Sequence, residues 1–333
     1  MHTEAIHLHQ PGGAAALQPA RIHLAAPGPG EALLRHAAIG VNYVDVYHRS
    51  GRHPLPPGPA VLGVEAAGVV EAAGVVEAVG AGVEGVAVGD RVAWAGGPPG
   101  GYVGHRLIAA DRLVRLPATL GDDDAAVLLL RGTTAHMLLA RGASLRAGDA
   151  VLIHAAAGGL GLLLTRWAKR LGLRTIGTVS SAARAEVARA NGLDRAVNYR
   201  AEDFVQAVRD WTGGEGVALA IDGVGGDTLR RSLDAVRPSG TLASIGQVGG
   251  DAAPAALAEL ARARSVALAR PSVLRFMEDA ARYREGAAAV LAAWRDGVRV
   301  PVAARYALRD AAEAHRALEG GRHDGAIVLK PSR

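Results

Sequence analysis

Val151-Leu152-Ile153-His154-Ala155-Ala156-Ala157-Gly158-Gly159-Leu160-Gly161 is the stretch from which the fold is read. Its first three residues are a short apolar run, the pattern of a buried parallel strand. A turn of small residues follows. Leu160, Leu163, Leu164, Trp167, Ala168 and Leu171 then recur at helical spacing. Strand, glycine turn and helix make the first half of a βαβ unit. In such a unit the backbone N–H groups at the helix N-terminus approach a pyrophosphate. The spacing is Ala156-x-Gly158-x-x-Gly161, with alanine where the dinucleotide-binding pattern has its first glycine. Lying between a strand and a helix, the segment is expected to bind a dinucleotide.

Working outward, strands and helices alternate from about 126 to 270, the rhythm of a doubly wound parallel sheet. Strands are expected at 174–179, 196–198, 217–222 and 241–245, and helices at 181–191, 204–211 and 227–236. Pro238-Ser239-Gly240 reads as a helix stop and turn. Residues 1–125 read as β-rich, with apolar runs separated by clusters such as Pro27-Gly28-Pro29-Gly30 and Pro56-Pro57-Gly58-Pro59. This punctuation predicts a barrel-like β domain. In the tail, 271–333, a long helix is expected over 276–296, ended by Gly297. Asp310-Ala311-Ala312-Glu313 has the form of a capping box opening a helix over 311–319. A last strand at 326–329 is expected to rejoin the N-terminal domain.

At 333 residues the chain has room for about two domains. No apolar run reaches the ~18 residues of a membrane span. The N-terminus has no basic region followed by an apolar core, so no secretory signal is expected and the cytoplasm is the expected location. The absence of cysteine excludes disulfides, thiolate metal ligands and a thiol nucleophile. Net charge is +5, but the arginines are scattered, as at Arg184, Arg189, Arg282 and Arg284, so the excess reads as solvated surface charge and not as a nucleic-acid face.

One repeat stands out: Glu65–Val70 is E-A-A-G-V-V and Glu71–Val76 repeats it residue for residue. An even period preserves the inward and outward faces of a strand. An enlarged hairpin or loop is expected, since two short copies cannot stack a solenoid core.

The second strand of the βαβ pattern bears on the cofactor. NAD-binding domains carry an Asp or Glu at that strand's end, about 20 residues past the glycine turn, to accept from the ribose 2′-hydroxyl. Here the strand ends in Ser180-Ser181-Ala182-Ala183-Arg184, and the first carboxylate, Glu186, lies inside the helix. Serine hydroxyls and an arginine suit a 2′-phosphate. NADPH is therefore the expected cofactor, with Tyr199 able to add a donor or stack on the adenine.

The chain resembles the zinc-independent quinone oxidoreductases of the medium-chain dehydrogenase/reductase superfamily, the group that includes zeta-crystallin. The resemblance rests on Gly40–Gly51 (G-V-N-Y-V-D-V-Y-H-R-S-G), Gly63–Val70, Val88–Ala93, Leu130–His136, His154–Gly161, Val197–Arg200, Asp222–Thr228, Ala269–Ser272 and Asp310–His315, in that order. It implies an α/β fold: a Rossmann doubly wound parallel sheet (126–270) inserted into a GroES-like β-barrel domain (1–125, with 271–333 returning to it). The active site would lie in the cleft between them. It implies cofactor contacts from Gly158, Gly159, Leu160 and Gly161 at the pyrophosphate, and from Ser180, Arg184 and Tyr199 around the adenosine ribose. Val224, Gly246, Gln247 and Arg270 would line the rest of the groove, and Asn42, Tyr47 and Thr133 would border the nicotinamide. A homodimer is implied as well.

Two departures from the family pattern stand out: the duplicated segment, and His53 where many relatives carry a tyrosine. Zinc-dependent relatives place a cysteine near Asn42 and a histidine next to Glu65, where this chain has Asn42 and Val64. A catalytic zinc needs about three protein ligands, so no metal is expected. Without a Lewis acid a quinone is the easier hydride acceptor, because its product anion is delocalised. Tyr47 and Asn42 are the expected catalytic residues, donating hydrogen bonds to that anion or orienting the acceptor. Two alternatives stand beside quinone reduction: NADPH-dependent reduction of an enone, and a structural or RNA-binding dinucleotide protein of the zeta-crystallin kind.

Overall fold

The computed structural model describes residues 1–73, 85–142, 144–251 and 254–332. In chain order its strands are β1 (His2–Leu8), β2 (Leu17–His23), β3 (Glu31–Val41), β4 (Ala60–Val61), β5 (Glu65–Ala73), β6 (Arg91–Ala95), β7 (His105–Ala109) and β8 (Val114–Arg115). They continue as β9 (Ala150–Ile153), β10 (Arg174–Val179), β11 (Arg195–Asn198), β12 (Val217–Asp222), β13 (Val236–Ser244), β14 (Ala267–Ala269), β15 (Val302–Ala307) and β16 (Ala326–Lys330). The chain forms two compact units. One comprises Met1–Leu130, Met277–Ala287 and Val300–Arg333, the other Arg131–Phe276 and Ala288–Arg299.

The first unit is β-rich. A sheet of order β15-β16-β3-β5-β6-β8, with β7 also on β3, stands beside the sheet β2-β1-β4. Ile6, Leu34, Ile39, Leu62, Trp94 and Tyr102 are among its fully buried core residues. β16 pairs antiparallel with β3 at Ile39–Val41, so the last strand rejoins the N-terminal strands. Gly68, fourth residue of the E-A-A-G-V-V unit, sits where β5 crosses β3. A Cβ there would lie 2.0 Å from the Arg35 carbonyl oxygen. β5 contains the first copy of the repeat and the start of the second; the enlarged hairpin or loop expected after it falls on 74–84, outside the described residues.

The second unit is a six-stranded parallel sheet of order β11-β10-β9-β12-β13-β14. The order reverses between β9 and β12, and the crevice outside the carboxyl ends of those strands is where an open α/β sheet binds its ligand. The core is built from the apolar strands and the inward faces of their helices, including Leu152, Ile176, Val197, Val208 and Leu242.

Three local expectations are corrected. Pro238-Ser239-Gly240 does not end a helix: it lies within β13, with Ser239 at φ 63°. The helix expected over 276–296 is two helices, Val273–Glu278 and Ala280–Arg295. Asp279 breaks it by capping the second, its Oδ1 accepting from Arg282 N at 2.8 Å. The helix Ala311–Glu319 forms, but Asp310 makes no side-chain cap, and Glu313 is taken up by Arg316 and Arg322.

Candidate active site

In the second unit β9 runs into the glycine turn and the helix Gly159–Arg170. The turn is pinned by His154 N to Ile221 O (3.1 Å), Ala156 N to Thr178 O (3.0 Å) and Gly158 N to Ala155 O (2.9 Å). Ala155 is held at φ 52°. Gly158 caps the helix without a side-chain hydrogen bond, and the first turn has no acidic residue. Its N–H groups and positive dipole end therefore remain suited to an anion. A Cβ on Gly161 would approach Ala155 O to 2.4 Å, so helix and turn pack only with glycine there. The alanine at the first pattern position is accommodated by a residue the sequence reading did not pick out. Gly177 of β10 faces it, and a Cβ on Gly177 would lie 2.6 Å from that of Ala156.

Ser180 and Arg184 follow the end of β10, and Tyr199 follows the end of its parallel neighbour β11. Tyr199 N donates to Val179 O (3.1 Å), immediately before Ser180. Ser181 caps the helix Ala182–Ala190, accepting from Arg184 N at 3.3 Å, which seats Arg184 in the first turn. Glu186 is exposed and paired with Arg189.

A second turn follows β12. Asp222 Oδ1 accepts from Val224 N and Gly225 N, both at 2.7 Å. Gly225 is at φ 82° and a Cβ on it would lie 2.5 Å from Gly250 O, while one on Gly246 would lie 2.5 Å from Gly223 O. The loops bearing Val224 and Gly246 thus touch backbone to backbone. In its hydrogen-bonded orientation the Gln247 amide accepts from Arg270 and donates to Asp251 Oδ1 at 3.0 Å. Thr133 lies in the helix Leu129–His136. It is fully buried, and its hydroxyl has no hydrogen-bond partner among the described residues.

In the first unit Asn42 is the N-cap of the helix Tyr43–Arg49, which also carries Tyr47. Asn42 N donates to Asp45 Oδ2 (2.8 Å), and Nδ2 donates to the buried Glu65 at 3.2 Å. The other oxygen of Glu65 accepts from Leu130 N at 2.7 Å. Glu65 therefore orients the Asn42 amide, a connection over 23 residues that sequence spacing did not reveal. Tyr47 is half-buried, its ring 5.1 Å from that of His53 and the Arg52 guanidinium 5.9 Å from its centroid. Burial first, then the Arg52 charge, lowers the His53 pKa.

The helix is anchored from below. Tyr102 donates to Asp45 (3.1 Å) and lies 2.9 Å from His315 Nε2. Arg49 makes a bidentate pair with Glu319, both bonds 2.8 Å. Burial, then Arg49, pushes the His315 pKa down to about 3. Val64, beside Glu65, is fully buried. Among the described residues no three His, Asp or Glu side chains are grouped to hold a metal ion.

Residues 28–118 match the alcohol dehydrogenase GroES-like domain and 159–293 the zinc-binding dehydrogenase domain. The chain is 38% identical over 321 residues to a quinone oxidoreductase of Pseudomonas aeruginosa, covering 96% of this chain and 97% of the relative. It belongs to the quinone oxidoreductase group of the medium-chain dehydrogenase/reductase family. A 2-haloacrylate reductase of Burkholderia is 41% identical over 331 residues, 97% of this chain and 98% of the relative. Among solved structures, the Escherichia coli quinone oxidoreductase complexed with NADPH superposes with a TM-score of 0.92 at 36% identity, covering 98% of this chain and all of that one. The Rossmann and GroES-like folds of this group are those of the two units described above.

Proposed function

We propose that this protein reduces quinones by hydride transfer from NADPH, without a metal. The observation that carries the cofactor choice is the end of β10, where Ser180 and Arg184 follow the strand with no carboxylate between them and the Tyr199 backbone bonds to Val179. A carboxylate there would repel a 2′-phosphate; an arginine with hydroxyl donors stabilises it. The residues fit the rest of a dinucleotide. The uncapped helix N-terminus at Gly158, Gly159, Leu160 and Gly161 receives the pyrophosphate, and the orphaned Thr133 hydroxyl suits a polar nicotinamide group. Val224, Gly246, Gln247 and Arg270 line the remainder. When bound, NADPH supplies the hydride.

The chain's own part is to orient, to exclude water and to stabilise developing negative charge. Tyr47 donates a hydrogen bond to the acceptor oxygen that gains charge. Glu65 takes one of the two Asn42 N–H donors and leaves the other for the ligand. Reduction of an activated alkene is the second reading, supported by the likeness to a 2-haloacrylate reductase. A homodimer in the cytoplasm completes the proposal, with the first unit as the catalytic domain and the second, which also takes Ala288–Arg299 from the tail, binding NADPH.

The test is oxidation of NADPH by the purified protein over a panel of quinones and activated alkenes, before and after exhaustive chelation. Quinone turnover that survives chelation is the expected result. Turnover of alkenes alone would establish the second reading, no turnover would favour a binding role, and activity restored only by metal would refute the metal-free mechanism.

A further inference from the structure

Beneath the two turns lies a buried polar chain that the mechanism above does not use. His154, at the end of β9, places Nδ1 3.0 Å from Thr178 Oγ1 and Nε2 2.8 Å from Ser232 Oγ. Thr178 Oγ1 also receives Ala155 N at 3.3 Å. Ser232 Oγ lies 3.4 Å from Asp222 Oδ2 and 2.8 Å from Thr228 O. Asp222 Oδ1, in turn, holds Val224 N and Gly225 N. His154, Thr178, Ser232 and Asp222 are all buried.

The donors and acceptors assign themselves. Ser232 has one proton and two acceptors for it, Thr228 O and Asp222 Oδ2, so its oxygen receives the His154 Nε2–H. Nδ1 is then the acceptor of the Thr178 hydroxyl proton, and Thr178 oxygen accepts from Ala155 N. Burial, acting against the attraction of Asp222, lowers the His154 pKa and keeps the ring neutral, as this assignment requires. Hydrogen bonds therefore run from Ala155 N through Thr178 and His154 to Ser232, whose hydroxyl lies between Thr228 O and Asp222 Oδ2, and the other oxygen of that carboxylate accepts from Val224 N and Gly225 N. Apolar residues would fill the same volume without the need to satisfy every polar atom.

We infer that this chain positions the dinucleotide: His154 is a positioning residue that sets the glycine turn and the Val224–Gly225 turn in register for one ligand. The inference rests on the dinucleotide reading above. It predicts that breaking either link loosens cofactor binding without changing the reacting groups.

The experiment measures the NADPH dissociation constant by nicotinamide fluorescence, and the melting temperature, for the wild type, Thr178→Val, Thr178→Ser, Ser232→Ala and the double variant Thr178→Val/Ser232→Ala. Loss of one hydrogen bond should weaken binding about three- to tenfold in Thr178→Val and in Ser232→Ala, with turnover at saturating NADPH preserved. Thr178→Ser, which keeps the hydroxyl, should stay within about twofold of wild type. The double variant should fall short of the product of the single effects, because both interrupt one chain. Unchanged affinity in the single variants, equal losses in Thr178→Ser and Thr178→Val, or fully multiplicative effects would overturn the inference. A wild type that binds no NADPH would instead overturn the dinucleotide reading on which it rests.

Discussion

Replacing Arg184 with alanine tests the cofactor assignment most directly. Arg184 sits in the first turn of the helix Ala182–Ala190, and its backbone N, not its side chain, completes the Ser181 cap. Alanine keeps that N–H and is the best helix former, so the fold should be unharmed. What is lost is a guanidinium at the end of β10. A hydrogen bond to a charged group contributes about 1.5–3 kcal/mol, or roughly ten- to a hundredfold in affinity. Arg184 is only half-buried, so solvent and salt screen part of this, and the lower end applies. The Michaelis constant for NADPH should rise about tenfold or more, while that for NADH, which lacks the 2′-phosphate, should barely move. Steady-state kinetics with both cofactors at fixed quinone gives the comparison. The NADPH effect should also shrink as salt is raised. Equal use of both cofactors by the wild type, or an unchanged NADPH constant in the variant, would refute the reasoning.

Tyr47→Phe should lower turnover about ten- to a hundredfold with NADPH affinity nearly unchanged, as for loss of one hydrogen bond to developing charge; an unaltered rate with chemistry limiting would return Tyr47 to packing. Deleting Glu71–Val76 should leave a folded protein of equal or higher melting temperature, since six residues preserve strand parity and set Ala78 and Val79 in the order now held by Ala72 and Ala73 opposite Leu33 and Ala32. An insoluble product would show that the second copy is required. Glu319→Gln should destabilise by about 1–3 kcal/mol, at the low end because Glu319 is 38% exposed while Arg49 is 4% exposed. Hydrogen bonds from Arg49 depress the Glu319 pKa, so its stabilisation is complete above the ordinary glutamate value of ~4.3 and is lost as pH falls through the lower folded one. Denaturant midpoints of the variant and wild type should therefore differ at neutral pH and converge in acid.

The sequence alone determined the parts whose causes are local. Val151–Gly161 is legible because an apolar run, small turn residues and helical spacing each depend on neighbours a few positions away. The same holds for the α/β alternation and for the missing carboxylate after Val179. Tertiary structure decided what depends on strands meeting. Ala156 can stand in the glycine pattern only because Gly177 of the adjacent strand leaves room for it. Asn42 is oriented by Glu65 across 23 residues, and Asp279 splits a continuous helical pattern by a cap that competes with it. His154, Thr178, Ser232 and Asp222 are spread over 78 positions, and their meeting is fixed by strand order, because β9 lies between β10 and β12. Propensity acts over a turn or two of chain, whereas a buried hydrogen bond between distant residues exists only once the sheet has chosen its neighbours.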